Sequence, residues 1–133
     1  MTNDLFWLAA TVLTTGLFAF PYVIHRSARL GPARAFGNPA PGDDATMADW
    51  AQRAKRAHLN SVENLILFAP SVLAVHAAGL SSTLTVAACL VYCMARIVHY
   101  AVYAAGIPVA RTLAHFVSLI AVAALLLRLF GLL

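Results

Sequence analysis

Residues 83–105 read TLTVAACLVYCMARIVHYAVYAA, an apolar run that holds one formally charged side chain, Arg96. A helix needs about 20 mostly apolar residues to cross the hydrocarbon core of a bilayer. The run is long enough to do so, and neither Gly nor Pro interrupts it. It therefore predicts a membrane-spanning helix and decides the class of the whole chain.

The composition of the chain agrees with a membrane protein. Of its 133 residues, 62% are hydrophobic and 11% are charged, which is too apolar for a soluble domain that must cover its surface with charge. Spans of about 20 residues leave room for one domain and little chain outside the lipid. Nucleic-acid binding is not indicated, because no aromatic or glycine pattern is interleaved with the basic residues. Function must therefore sit in or beside the membrane.

Glycine and proline breaks divide the rest of the chain into three further spans. Gly79 and the serines that follow it predict a very short turn, so the second and third spans are antiparallel. A second break at Gly106 precedes Pro108, a residue suited to a first helical turn. We therefore predict one all-α domain, a bundle of four transmembrane helices over residues 1–133, with spans at about 5–25, 50–79, 83–105 and 108–130.

The first connection is the one long loop of the predicted bundle. Pro21 is expected to kink the first span near its end, because proline removes a helical hydrogen bond. From His25 to Met47 the chain is rich in Gly and Pro, which predicts irregular structure. Asp49 is expected to cap the second span.

Basic residues indicate the orientation of the bundle. Six of the nine Lys and Arg lie between Arg26 and Arg56. Cytoplasmic loops carry an excess of Lys and Arg, so the loop at about 26–49 is predicted to be cytoplasmic. Both termini then face the opposite side of the membrane.

Several charged and polar residues lie inside the predicted spans at one depth. Counting about 1.5 Å per residue from the short turns places Glu63 roughly one helical turn inside the hydrocarbon. The same count places Arg96 about 10 Å deep and His99 about 6 Å deep. Helical spacing keeps the members of this set near one face of each helix. The set comprises Arg56, Asn60, Glu63, Arg96, His99, Tyr103 and Arg111.

Two interpretations of this set remain open from the residues alone. A charge near the bilayer centre costs about 2.5 to 3.5 kcal/mol, so such charges must face each other, water or a ligand. In the first interpretation, Glu63 and Arg96 face each other and form an ion pair that locks two helices together. Glu63 can neutralise only one arginine, however, which leaves a surplus of about two positive charges suited to a ligand with two carboxylates.

Transport and metal binding have weaker support. A small transporter would place polar groups at the membrane midplane beside a broken helix, but these polar residues stop at one side. Cys89 and Cys93 are the only cysteines, and two cysteines inside an apolar run are too few for a metal site. We therefore predict no metal ligands and interpret both cysteines as packing or lipid-facing residues.

Residues 53–64, RAKRAHLNSVEN, resemble the signature of the MAPEG family, the membrane-associated proteins in eicosanoid and glutathione metabolism. The pattern R-x-x-R-A-H-x-N-x-x-E is specific. Supporting matches are AFGNP at 35–39, RIVH at 96–99 with Tyr103, and Arg111 after a Gly-Ile-Pro break. The resemblance covers essentially the whole chain.

The resemblance implies a homotrimer, surrounded by membrane lipid, that binds glutathione between neighbouring subunits near the cytoplasmic face. The implied activity is that of a glutathione-dependent transferase or peroxidase acting on a lipid-soluble electrophile. Residues matching Asn60 and Glu63 hold the amino-terminal end of glutathione in this family, and the arginine matching Arg111 stabilises its thiolate. The other predicted binding residues are Arg56, Arg96, His99 and Tyr103.

Two positions depart from the pattern of eicosanoid-making relatives. Leu59 stands where some of them have an arginine, and His115 stands where they often have tyrosine. These departures argue against a specialised eicosanoid substrate. The overall likeness is to the short bacterial members, so we expect a bacterial inner membrane as the location. The alternative function is that of a noncatalytic membrane protein whose polar cluster fixes helix packing and trimer assembly.

Overall fold

The computed structural model describes residues 2–38 and 40–133, and all regular structure in these ranges is helical. The helices are α1 (Asn3–Leu17), α2 (Ala19–Leu30), α3 (Pro32–Ala35), a 3-10 helix (Asp43–Thr46), α4 (Asp49–Ala77), α5 (Thr83–Ala105) and α6 (Pro108–Leu129). Within the described residues four stretches are long and apolar enough to cross a membrane, with α1 and α2 counted as one. The predicted four-helix count is therefore confirmed.

The first span is interrupted at Phe18, near its middle, whereas a kink near its end was predicted from Pro21. α1 ends at Leu17 and α2 begins at Ala19. Pro21 has no N–H to donate to the Leu17 carbonyl, and its ring crowds that carbonyl. The interruption therefore lies one turn before the proline.

The first span also continues beyond its predicted end near residue 25. α2 runs to Leu30 and the one-turn helix α3 follows, so the prediction that the chain becomes irregular at His25 is wrong. Residues 26–30 contain neither Gly nor Pro, and the helix stops where Gly31 adopts a φ of 79°. The position of the first helix breaker, not the composition of the whole loop, sets the end of the helix.

The start of α4 differs from the prediction by one residue. Ala48 is the residue before the helix, and Asp49 is the first helical residue rather than the cap. No side-chain cap bond is present at this end. A carboxylate in the first turn still interacts favourably with the helix dipole.

Asp43 organises the loop between α2 and α4. It is buried, and it accepts hydrogen bonds from the Ala40 amide at 2.8 Å, from Arg34 Nη2 at 3.0 Å and from Arg26 Nη2 at 3.2 Å. The Ala40 amide and then the Arg34 guanidinium lower the pKa of the Asp43 carboxyl from its usual value. The loop is therefore built around one carboxylate.

The interior of the bundle changes character along its length. Its middle is an apolar core in which the rings of Phe68 and Tyr92 stack with centroids 3.7 Å apart. Cys89 is part of this core, and Cys93 is also buried. At the end opposite the loop, buried Thr85 Oγ1 donates to buried Asp4 Oδ1 at 3.2 Å. Closer to the loop the buried side chains become polar, and they include Ser61, Asn64, Arg96, His99 and Ser118.

Candidate functional site

Arg96 is the buried charge around which the polar end of the bundle is built. Its side chain projects from α5 and is 2% exposed. Nη2 donates to Asn60 Oδ1 at 2.9 Å and to Ser61 Oγ at 2.9 Å, both on α4. Nε and Nη1 are buried and have no hydrogen-bond partner among the described residues. Both partners of the guanidinium are neutral, so nothing bonded to it balances its charge.

A cavity of about 220 Å³ opens beside this arginine, between α4, α5 and α6. Four of the predicted site residues line it, one from α4, two from α5 and one from α6. No acidic side chain is among the described residues that line it. The lining residues are Asn60, His99, Tyr103, Arg111, Thr112, His115 and Phe116.

The rings of Tyr103 and of two histidines are part of the cavity lining. The Tyr103 ring contacts Arg111, and each histidine has one buried ring nitrogen without a partner among the described residues. The Arg111 guanidinium carbon lies 4.6 Å from the centre of the Tyr103 ring, which is cation–π geometry. The ring centroids of His99 and Tyr103 are 5.6 Å apart, and those of His99 and His115 are 6.0 Å apart. Nδ1 of each histidine is buried without a partner among the described residues. The cavity can therefore bind an anion through Arg111.

The turn between α5 and α6 is fixed by Arg53, which projects from the first turns of α4. Its Nε donates to the Ala104 carbonyl at 3.0 Å. Gly106 follows with a φ of 81°, and a Cβ there would lie 3.2 Å from the Arg53 guanidinium carbon. The turn lies between Tyr103 and Arg111 in the chain. By holding the turn, Arg53 helps to position the Arg111 guanidinium over the Tyr103 ring. Arg53 begins the 53–64 stretch, but no role for it was predicted from the sequence.

The model of the MAPEG family matches residues 5–131 of the chain. The chain belongs to the MAPEG family. This confirms the resemblance carried by residues 53–64, and with the four apolar helices it makes the chain an integral membrane protein. No curated protein and no solved structure matches the chain significantly.

Three predicted site residues of this MAPEG protein do not line the cavity. Arg96 is buried behind it. Arg56 and Glu63 are exposed on the surface of α4. The ion pairs found among the described residues are Arg26–Asp43, Arg34–Asp43 and Lys55–Asp44. The Glu63–Arg96 ion pair considered as the structural alternative is thus not formed within this subunit.

Three residues that line the cavity were not predicted as site residues. His115 continues the helical face of Arg111 and was noted as a departure from relatives, and Thr112 and Phe116 received no role. All three lie on the cavity face of α6 within five residues of Arg111, so helical spacing from that arginine was a signal that could have found them. Thr112 and Phe116 also border a second, largely apolar groove of about 310 Å³ on α6, which Pro108, Val109 and Leu113 complete.

Proposed function

We propose that this MAPEG protein is a glutathione-dependent transferase or peroxidase that acts on hydrophobic electrophiles in the membrane. The observation that carries the proposal is the charge of the site: Arg111 lines the cavity and Arg96 lies behind it, without an acid among the described lining residues. Fork-shaped guanidinium donors favour carboxylates. Glutathione carries two carboxylates, one ammonium group and one thiol, and would supply the missing negative charge.

Asn60 is suited to hold a carboxylate of the ligand. Arg96 and the Asn64 amide both donate to its Oδ1, at 2.9 Å and 3.3 Å. An asparagine amide group has two further donors on Nδ2. With Oδ1 fixed by Arg96, these donors remain for the ligand.

Arg111 is suited to stabilise the thiolate of glutathione. A free thiol has a pKa of about 8.5, and lowering it by about two units takes roughly 2.7 kcal/mol of differential stabilisation. A guanidinium that is partly removed from water can supply an interaction of this size. Its cation–π contact with Tyr103 would hold it in place without neutralising it.

The groove on the other side of Thr112 and Phe116 is suited to the electrophile. It is bordered by Pro108, Val109 and Leu113, and it shares two wall residues with the cavity. Small-molecule sites combine apolar walls with a few polar groups. An electrophile dissolved in the lipid would thus lie next to the thiolate, which attacks it.

A homotrimer would complete the site. The cavity of one subunit, about 220 Å³, is smaller than the roughly 300 to 1,000 Å³ of typical ligand sites. Glu63 and Arg56 are exposed on the surface of α4, and lipid alone would leave the glutamate uncompensated. We therefore propose that Glu63 and Arg56 of a neighbouring subunit reach the cavity, with Glu63 binding the ammonium group of glutathione. The long loop would face the cytoplasm of a bacterial cell, at its inner membrane.

The competing function is a noncatalytic one in which the polar cluster serves helix packing and assembly. The bonds from Arg96 to Asn60 and Ser61, which join α5 to α4, favour this alternative. It requires no ligand, so glutathione binding separates the two functions.

Isothermal titration calorimetry with glutathione, on the protein in lipid nanodiscs, tests the proposal. We expect binding together with the ultraviolet absorbance of a thiolate, whereas S-methylglutathione should bind without that absorbance. Arg111→Ala should lose the absorbance and largely keep the affinity. Arg29→Gln, in the exposed part of α2, is the matched control and should change neither. Absence of heat at millimolar glutathione would contradict the proposal.

A further inference from the structure

Several buried polar atoms on α5 and α6 have no hydrogen-bond partner among the described residues. The described residues contain seven such side-chain atoms, and five belong to Tyr92, Arg96, His99 and His115 on α5 and α6. An unpaired buried polar group is unfavourable, so each of these atoms favours a ligand that can bond to it. Among these four residues, only the two histidines offer a nitrogen that can accept a proton, since arginine stays protonated in proteins and a tyrosine hydroxyl is a donor at neutral pH.

His115 is the histidine better placed to meet a ligand. It lies one helical turn after Arg111 on α6, and both side chains line the cavity. Its side chain is partly exposed, whereas that of His99 is 2% exposed. A thiol whose sulfur lies between Arg111 and His115 would therefore meet the more accessible of the two imidazoles.

The charges around His115 determine when it can take a proton. α6 contributes Arg111, α5 contributes Arg96, His99 and Tyr103, and the lining residue of α4 is the uncharged Asn60. No carboxylate is present in this described lining. A third positive charge beside the two guanidinium groups is unfavourable unless a negative charge appears with it. Formation of a thiolate supplies that negative charge, so the imidazolium and the thiolate form together.

We propose that His115 is the proton acceptor for the thiol of glutathione. This inference rests on the proposed function, because it needs glutathione in the cavity. The S–H bond breaks, the proton bonds to an imidazole nitrogen of His115, and the electron pair stays on sulfur beside Arg111. With an aryl halide, the thiolate forms the carbon–sulfur bond and the halide leaves with the electrons of the carbon–halogen bond. His115 then returns its proton to water.

The number of protons released on binding tests this assignment. Titration calorimetry with glutathione in buffers of different ionisation enthalpy measures that number, and thiolate absorbance measures how much thiolate forms. In the wild-type protein we expect thiolate with almost no proton release, because the proton remains on His115. In His115→Gln we expect about one proton released per thiolate, and turnover of an aryl halide about 100-fold lower, as for loss of a general base.

Two further variants make the test specific. His76→Gln removes an exposed histidine at the other end of α4 and should leave proton release unchanged. His99→Gln should also keep the proton inside the protein. If His99→Gln releases the proton and His115→Gln does not, the assignment to His115 is wrong.

The wild-type measurement decides the inference even where a variant fails to fold. Thiolate absorbance with one proton released per glutathione would overturn the role of His115 while leaving the proposed function standing. Binding without thiolate absorbance would overturn both the role of His115 and that of Arg111.

Discussion

Arg96 Nη2 donates a 2.9 Å hydrogen bond to Asn60 Oδ1 inside the bundle. The bond joins a buried cation on α5 to a neutral amide on α4, at the back of the cavity. A neutral partner keeps the positive charge of Arg96 available to a ligand, whereas a carboxylate at the same position would neutralise it. An asparagine at position 60 therefore favours ligand binding, whereas a carboxylate there would favour stability of the bundle.

Asn60→Asp should make this difference measurable. The new carboxylate would pair with the buried guanidinium, so we expect a higher midpoint of thermal unfolding in nanodiscs. It would also repel the carboxylates of glutathione and remove the Nδ2 donors, so affinity should fall at least about tenfold, or 1.4 kcal/mol. Asn38→Asp in the exposed loop adds the same charge elsewhere and should change neither quantity. Tighter glutathione binding by Asn60→Asp would contradict this account of the site.

The sequence predicted which helices contribute polar residues to the site, but not which of those residues line the cavity. Hydropathy and the rise per residue give the depth of a residue in a span, and helical spacing put Arg96, His99 and Tyr103 on one face of α5. Asn60 and Glu63 lie only about 60° apart around α4, yet Asn60 lines the cavity and Glu63 is exposed. A difference of that size depends on how α4 is rotated against its neighbours, and a periodic pattern does not specify this rotation.

Contacts that depend on a turn were also beyond the sequence. The bond between Arg53 and the Ala104 carbonyl joins residues 51 positions apart, and it forms because Gly106 reverses the chain with a positive φ. The Gly-Ile-Pro break predicts a turn but not the direction in which its carbonyls point. In contrast, the end of α2 at Gly31 could have been read from the sequence, because it is the first glycine after Arg26.

Gly106→Ala should weaken the fold and disturb the site together. The positive φ of 81° and the 3.2 Å approach to the Arg53 guanidinium both oppose an added Cβ, so we expect a loss of about 1 kcal/mol or more in unfolding free energy. Thiolate absorbance should fall as well, because the turn sets Arg111 against Tyr103. Gly16→Ala, in α1 with nothing near its added Cβ, is the control and should lose neither. Equal effects of the two substitutions on unfolding would show that the turn imposes no special constraint.

Glu63→Gln separates the proposed function from the noncatalytic alternative. Glu63 is exposed in the subunit and forms no ion pair within its described part, so the subunit fold should be unchanged. If Glu63 of a neighbouring subunit binds the ammonium of glutathione, affinity falls while native mass spectrometry still detects a trimer. Asp49→Asn, exposed at the start of α4, should preserve both properties. Dissociation of the oligomer with Glu63→Gln would favour the assembly function instead.

Asp43 should make the first loop sensitive to acid. Its folded-state pKa lies below the ordinary value of 3.8, chiefly because of the Ala40 amide and Arg34. The carboxylate therefore stabilises the loop fully above about pH 4, and this stabilisation is lost as the pH falls through the lower folded-state pKa. Limited proteolysis in nanodiscs should show faster cleavage of the loop below pH 4 than at pH 7. Asp43→Asn should be cleaved rapidly at both, since its neutral amide leaves Arg26 and Arg34 without an anion. The exposed Asp44, which pairs with Lys55, provides the control. Asp44→Asn should keep the wild-type pH dependence of cleavage. If Asp43→Asn also kept it, Asp43 would not be the group that makes the loop sensitive to acid.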